Sequence, residues 1–219
     1  GKAYGLIDAD IVKRDNETGT WYKFRASDLG IDGSREIGGE YLRQGNIGIK
    51  LEYNEISRDD PKTILTTHTG KHDTTQYETG SPMHSVQLGT VRKQTNLDVY
   101  KNLLPGFDFN LSFRNERKEG ARLISRGDAF RFVTEPIDST TRQLEARLSY
   151  TTRTFQLQGG YNGSWYQTDN RFTTILPVAT PTGTSGYLSQ GLDNEAHQLF
   201  LNGGYNFTDT TRATVKLER

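Results

Sequence analysis

Cysteine is absent from the 219 residues of this chain, which excludes disulfide bonds, cysteine zinc sites, a thiol nucleophile and the Cys-x-x-Cys-His attachment of a c-type haem. Long apolar runs are also missing, since no segment approaches the roughly 18 residues of a membrane-spanning helix. Neither sign of charge dominates, because 27 Lys and Arg stand against 27 Asp and Glu, so the composition favours no polyanionic partner such as nucleic acid. Only 32% of the residues are apolar, whereas 23 are Gly, 11 Tyr and 10 Phe. This composition indicates an aromatic, glycine-rich β-protein.

Apolar and polar residues alternate along most of the chain, which indicates strands with one apolar and one polar face. The clearest example is the segment FDFNLSFR at 107–114, in which every second residue is Phe or Leu. Counting such segments predicts about ten strands, most of them about 9 to 12 residues long, close to the 9 to 11 that a tilted strand needs to cross a bilayer.

Short and long connections alternate between these segments. The short turns are expected at 14–19, 44–46, 102–106, 151–153 and 208–210, and the longer links at 28–33, 57–83, 117–140 and 167–194. This rhythm is typical of membrane β-barrels, whose short turns are usually periplasmic. The sequence therefore predicts an all-β antiparallel meander that forms a transmembrane outer-membrane β-barrel.

The alternation assigns each side chain to one of two faces. On a barrel the apolar face meets lipid and the polar face lines the lumen. The residues predicted to face lipid are Ile47, Ile49, Leu51, Phe107, Phe109, Leu111, Phe113, Leu144, Leu148, Leu157, Leu199 and Leu201. The residues predicted to face the lumen and contact a partner are Lys50, Glu52, Asp108, Arg114, Gln143, Glu145, Arg147, Lys216 and Glu218. Phe200 is the one apolar residue on the polar side of its segment.

Aromatic residues of the apolar face suggest an interfacial girdle, because many of them lie close to short turns. They are Tyr41, Tyr53, Phe107, Tyr150, Phe155, Tyr205 and Phe207.

An ordered set of short segments makes the chain recognisable. They are RNERKEG at 114–120, EPID at 135–138, TTRQLEA at 140–146, FQLQGGYNGS at 155–164, DNEAHQL at 193–199, GGY at 203–205 and TTR at 210–212. Together with DLGID at 28–32 and the strand at 41–56, this succession resembles the MtrB/PioB family of decahaem-associated outer-membrane β-barrel proteins.

The resemblance implies a function that composition does not reveal. Members of this family form a barrel in the bacterial outer membrane that houses a periplasmic multihaem c-type cytochrome, so that electrons pass to or from an extracellular multihaem cytochrome or a mineral. The barrel itself does no redox chemistry. The resemblance thus implies that this chain binds no cofactor of its own, that haem belongs to the partner cytochrome, and that the chain is not an enzyme.

Family members are much longer than this chain, and ten strands would close into a barrel too narrow for a globular protein. The strand pattern also runs up to both chain ends. We therefore expect residues 1–219 to form a single segment, the N-terminal part of a larger barrel, with two unpaired edges. Some family members carry a Cys-x-x-Cys pair near the N-terminus; this chain has none, so no thiol role carries over.

Two other functions fit parts of the sequence. One is a passive diffusion porin with a water-filled lumen, and the other is a soluble β-sandwich that binds glycans through Trp165, Tyr166 and Tyr187. No nucleophile elbow, P-loop or dinucleotide-binding glycine run is present. His68 and His72 have a spacing that would align two metal ligands only on a helix. No catalytic, cofactor-binding or metal-binding residue is therefore predicted.

Overall fold

The computed structural model describes residues 6–30, 33–79, 82–125, 132–176 and 185–219. Every regular element in these ranges is a β-strand, and the ranges hold no helix that could cross a bilayer. The strands are β1 (Ile7–Asp15), β2 (Thr20–Leu29), β3 (Glu36–Arg43), β4 (Ile47–Asp59), β5 (Ile64–Thr66), β6 (His68–Thr69), β7 (Thr75–Glu78), β8 (His84–Val86), β9 (Gly89–Leu104), β10 (Phe107–Ser125), β11 (Phe132–Thr151), β12 (Phe155–Thr168), β13 (Phe172–Leu176), β14 (Gly186–Ser189), β15 (Asn194–Asn206) and β16 (Arg212–Glu218).

Ten of these strands form one sheet in the order β1-β2-β3-β4-β9-β10-β11-β12-β15-β16. All nine pairings within it are antiparallel, and each strand pairs with the members that precede and follow it along the chain. This arrangement confirms the predicted meander of ten strands. Within the described ranges, β1 and β16 each pair on one side only.

Short turns join the strands along one edge of the sheet. In the β1–β2 turn the Asp15 carboxylate accepts the Glu17 amide at 2.9 Å and the Thr18 hydroxyl at 2.8 Å. These two bonds lower the pKa of Asp15 below its ordinary value, and the bond from the Thr18 hydroxyl has the larger effect. In the β9–β10 turn Gly106 has a φ of 77° and follows Pro105, and a type II turn favours this pair of residues.

The expectation of a long link at 117–140 is wrong for most of that segment. β10 and β11 pair without interruption from Phe107 with Tyr150 to Ser125 with Phe132. The alternation of apolar and polar residues ends near Phe113, but backbone hydrogen bonding needs no such alternation. In this part of the hairpin charged side chains pair across the two strands. Arg117 of β10, for example, lies 3.1 Å from Asp138 of β11.

The links predicted at 57–83 and 167–194 contain short strands that the sequence pattern did not reveal. β5 pairs with β8, and β6, β7, β13 and β14 form a four-stranded sheet in the order β14-β13-β7-β6. Within this sheet β7 and β13 run parallel. Two links that are far apart in sequence therefore join into one unit, which we call the cap.

The cap covers the far ends of β9, β10 and β11, and most of the buried apolar residues of the described chain are there. Val86, Leu88 and Ala121 pack together, with Ile64 against them. Two buried glutamines bind the backbone of β11 beyond Ser139, where pairing with β12 stops. The Gln76 side chain donates to the Thr134 carbonyl and accepts from the Thr134 amide. Gln190 donates to the Pro136 carbonyl at 3.3 Å.

A row of directly paired residues across the sheet is not parallel to the end of the sheet at which the short turns lie. One row joins Trp21 on β2 to Phe200 on β15 through directly paired residues on every strand between them. Trp21 is the second residue of β2, next to a short turn, whereas Phe200 lies six residues before the end of β15 at Asn206. Such a stagger accompanies the tilted strands of β-barrels.

Candidate functional site

The polar face of the ten-stranded sheet is continuous across the strands. Paired residues, and residues two apart on one strand, share a face. One row joins Glu52, Asn96, Arg114 and Gln143, and the next joins Lys50, Asp98, Ser112 and Glu145. Register and alternation bring together on this face all nine residues predicted to line the lumen: Lys50, Glu52, Asp108, Arg114, Gln143, Glu145, Arg147, Lys216 and Glu218.

Many charges of the polar face are paired with one another. Lys23 lies 3.1 Å from Glu40 on the neighbouring strand, and Lys50 lies 2.7 Å from Glu52. Further along the sheet the same holds for Arg147 with Glu145 at 3.2 Å and for Lys216 with Glu218 at 2.6 Å. The face therefore carries both signs of charge but little net field.

Amide and hydroxyl groups fill the space between these charges. Asn162 donates to Gln198 at 3.0 Å, and Arg114 donates to Asn96 at 3.3 Å. Three buried polar atoms of this face have no hydrogen-bond partner among the residues that the structure describes: Arg147 Nε, Asn162 Oδ1 and Asn202 Oδ1. Two adjoining concavities open here and share Asp98, Ser112 and Glu145 in their linings. The polar face can thus form hydrogen bonds with a protein or with water.

The opposite face is apolar, and it carries all twelve residues predicted to face lipid: Ile47, Ile49, Leu51, Phe107, Phe109, Leu111, Phe113, Leu144, Leu148, Leu157, Leu199 and Leu201. Many of these side chains are open to the surroundings; Leu199 is 62% exposed and Leu148 is 44% exposed. A contiguous apolar surface of this kind is unfavourable in water.

Neither face of the sheet is packed as a sandwich would require. Leu51 on the apolar face is 53% exposed, while on the polar face the Arg25 side chain is 66% exposed. In a β-sandwich one of these faces would be buried against a second sheet. The sheet has the two open faces of a barrel wall.

Comparison with known proteins agrees with this geometry. The family model described as outer membrane beta-barrel porin, MtrB/PioB, matches residues 1–219. The chain belongs to the MtrB/PioB family. It is 26% identical over 231 aligned residues to the outer membrane protein MtrB of Shewanella baltica (strain OS185), an alignment that covers 92% of this chain and 32% of the relative. The chain thus spans about a third of that relative's length, and its fold is that of the outer-membrane β-barrel family.

Family membership also identifies the membrane in which this wall lies. The MtrB/PioB family is a family of outer-membrane barrels, so the chain is located in the bacterial outer membrane. A porin-like barrel is a structural protein rather than an enzyme. In the described part of the chain no group of three or more His, Asp or Glu side chains is arranged to hold a metal ion.

Aromatic residues gather at the short-turn end of the apolar face. Tyr22 and Tyr41 have ring centroids 5.3 Å apart, and Tyr205 and Phe207 4.9 Å apart. Tyr53, which was grouped with these residues, lies at the other end of the apolar band, where its hydroxyl donates to Glu55 at 3.0 Å. Beyond Tyr53 the same face turns ionic. The apolar band therefore has a boundary at each end, although its contact with lipid stays a prediction.

Sequence reasoning missed several large apolar residues on the polar face. Besides Phe200, the face carries Trp21, Leu42 and Tyr100, which belong to the same register row. The alternation could have revealed them, since Trp21 precedes Tyr22 and Leu42 follows Tyr41, and both tyrosines lie on the apolar face.

Proposed function

We propose that the complete protein forms a barrel that houses a periplasmic multihaem c-type cytochrome and holds it across the outer membrane, so that electrons can cross the membrane. In this proposal the chain binds no cofactor itself. The haems belong to the cytochrome, and an extracellular multihaem cytochrome is a further candidate partner at the outer end.

One observation carries this proposal: the polar face presents internally paired charges and amide groups instead of a single-sign field. The four ion pairs of Lys23, Lys50, Arg147 and Lys216 are each closed within the wall. At these four pairs the wall can lie against a folded protein without burying uncompensated charge, which would cost several kcal/mol per ion, on the order of what is known for buried charges.

The wall would act by separating two environments. Its apolar face satisfies the acyl chains, and its polar face contacts the cytochrome. The hydrocarbon is thereby kept away from the cytochrome, which supplies the redox chemistry through its haems. These 219 residues contain no cysteine and so cannot attach a c-type haem themselves, since such attachment needs a Cys-x-x-Cys-His segment.

The test is purification of the full-length barrel, tagged and expressed in its own host, from detergent-solubilised outer membranes. We expect a protein with a c-type haem absorption band to co-purify in a constant ratio to the barrel. Recovery of the barrel without haem from cells that do produce periplasmic multihaem cytochromes would contradict the proposal.

A passive diffusion porin is the second candidate, and the concave, amide-lined polar face favours it as well. The two functions differ in what fills the lumen. The purified barrel, free of any haem protein, is added to a planar lipid bilayer. Stable open-channel conductance from a preparation that never captures a cytochrome would favour the porin.

A further inference from the structure

Four large apolar side chains of the polar face fall in a single register row, whereas Val12, Ile56 and Tyr166 lie on the same face in other rows. Trp21, Leu42, Tyr100 and Phe200 share one face and one register row, which runs from β2 to β15. All four are half-buried. We call these four residues the apolar stripe.

The rows on either side of the stripe are polar. On the long-link side the row reads Lys23, Glu40, Lys50, Asp98, Ser112, Glu145, Asn162 and Gln198 from β2 to β15. On the short-turn side the row from β10 to β16 reads Asp108, Ser149, Gln158, Asn202 and Lys216. Within the row of the stripe itself, Asn110 and Arg147 stand between Tyr100 and Phe200. The stripe thus consists of an apolar group at Trp21, Leu42 and Tyr100 and a separate apolar residue at Phe200.

Two of the stripe's side chains lie against glycines. A Cβ atom added at Gly160 would come within 2.6 Å of the Phe200 ring, and one added at Gly48 would lie 3.2 Å from Leu42. Gly160 and Gly48 are the direct strand partners of Phe200 and Leu42. Each side chain therefore lies flat on the wall over its glycine partner.

The other two members are held by polar neighbours. The Tyr100 hydroxyl donates to Asp108 at 2.8 Å, and the Arg14 guanidinium lies 4.4 Å from the centre of the Trp21 ring. Side chains that are already fixed lose little conformational entropy when a partner binds. The stripe is preorganised as a contact surface.

The spacing of the stripe indicates the size of what it contacts. Neighbouring strands are about 4.8 Å apart, so three strand steps place Trp21 about 14 Å from Tyr100, and four further steps place Phe200 about 19 Å beyond Tyr100. These gaps are too wide for the continuous ring stacking of a short glycan chain. The whole length of about 34 Å matches the diameter of a small folded domain.

From this geometry we propose that the apolar stripe is the surface along which a folded protein seats in the lumen, and that it supplies more of the binding energy than the charged rows beside it. This inference rests on the proposed function, because it takes the lumenal cytochrome as the occupant. The charged rows gain little from a partner, since Lys23 and Lys50 are already paired with Glu40 and Glu52.

The experiment compares two variants of the full-length barrel, Trp21→Ala and Phe200→Ala, with two controls, Tyr22→Ala and Leu199→Ala. Each control alters the adjacent residue of the same strand, whose side chain is on the apolar face. The probe is the haem protein recovered from the wild-type complex, and the measurement is its dissociation constant for each purified barrel. We expect each stripe variant to weaken binding by about tenfold or more, as interface aromatics do, and each control to change it by less than about twofold.

A further variant, Phe200→Gln, guards against failure to fold, because an amide suits this polar face. Migration of unheated barrel on a denaturing gel reports folding, and Phe200→Gln is expected to fold and to bind as weakly as Phe200→Ala. Folded stripe variants that bind the haem protein as tightly as wild type would overturn the inference and leave the proposed function intact. A wild-type barrel that captures no haem protein would instead contradict the proposed function. Block of ion current by maltohexaose that is lost in Trp21→Ala would overturn the inference in favour of a glycan path.

Discussion

At the scale of single residues, position along a strand decides which environment a side chain meets. Leu148 and Ser149 are neighbours in β11, yet Leu148 pairs with Phe109 on the apolar face and Ser149 pairs with Asp108 on the polar face. Because successive side chains alternate across the sheet, the sequence pattern predicted these two positions correctly. The identity of the medium on each side is a separate matter, and it can be tested with one pair of substitutions.

Leu148→Arg and Ser149→Arg introduce the same charge one residue apart. If the apolar face meets hydrocarbon, Leu148→Arg should lower the free energy of unfolding in lipid vesicles by about 1–3 kcal/mol. An arginine costs about 2–4 kcal/mol at the bilayer midplane and less towards the interface, and Leu148 lies two residues from Tyr150 of the aromatic group. Ser149→Arg should change it by less than about 1 kcal/mol, since that side chain enters the polar face. Urea titration of the full-length barrel measures both values, and equal costs for the two variants would contradict the assignment of the faces.

Charged residues near the ends of the strands were harder to assign from sequence. Glu119 follows Arg117 by two residues, so both lie on the face that is apolar lower in the sheet, and they pair at 3.0 Å. Lys93 reaches Glu119 as well, also at 3.0 Å. Where both faces carry charged residues, apolar and polar residues no longer alternate. The sequence then lacks the alternation from which the strands were predicted.

At the scale of elements, β11 contributes one part of its length to the ten-stranded sheet and another part to contacts with the cap. From Tyr150 to Ser139 it pairs on both sides, with β10 and β12. Beyond Ser139 the side chains of Gln76 and Gln190 take over the hydrogen bonds that β12 no longer provides. No sequence pattern announces such a contact, because it joins residues 58 positions apart through an amide that is common on protein surfaces.

Gln76→Leu should therefore damage the cap without harming the wall. The variant leaves the amide and carbonyl of Thr134 without their side-chain partner, at a cost of about 1–3 kcal/mol for buried unsatisfied groups. We expect faster hydrogen exchange at Thr134 and faster proteolysis of the cap. The control is Gln158→Leu, which alters a glutamine of the polar face and should leave the cap unchanged. Normal protection at Thr134 in Gln76→Leu would show that the glutamine contacts are not needed.

At the scale of the whole molecule, alternation together with turn rhythm sufficed to predict the meander, its ten strands and its two faces. The cap could not be predicted, because its six strands have only two to five residues and find their partners across distant links. The apolar stripe was only partly predictable: Phe200 stands out within its own segment, but the row that aligns it with Trp21 exists only once the register is known.

The paired charges of the wall also predict how the assembled complex responds to salt. Raising NaCl from about 0.1 M to about 1 M shortens the screening length from about 10 Å to about 3 Å. Because the ion pairs are closed within the wall, the dissociation constant of the lumenal cytochrome should change by less than about threefold. Glu40→Ala, which leaves Lys23 without the Glu40 carboxylate, should make binding more dependent on salt. A steep salt dependence in the wild type would contradict this prediction.

The parallel pairing of β7 with β13 bears on the order in which the strands of the protein pair during folding. β7 ends at Glu78 and β13 begins at Phe172, so this pairing joins two strands that lie nearly a hundred residues apart in the chain. Four long strands of the ten-stranded sheet, β9 to β12, lie between β7 and β13 in the chain. Because contacts between residues far apart in sequence are slow to form, we expect the four-stranded sheet of the cap to be completed after β9 to β12 have paired.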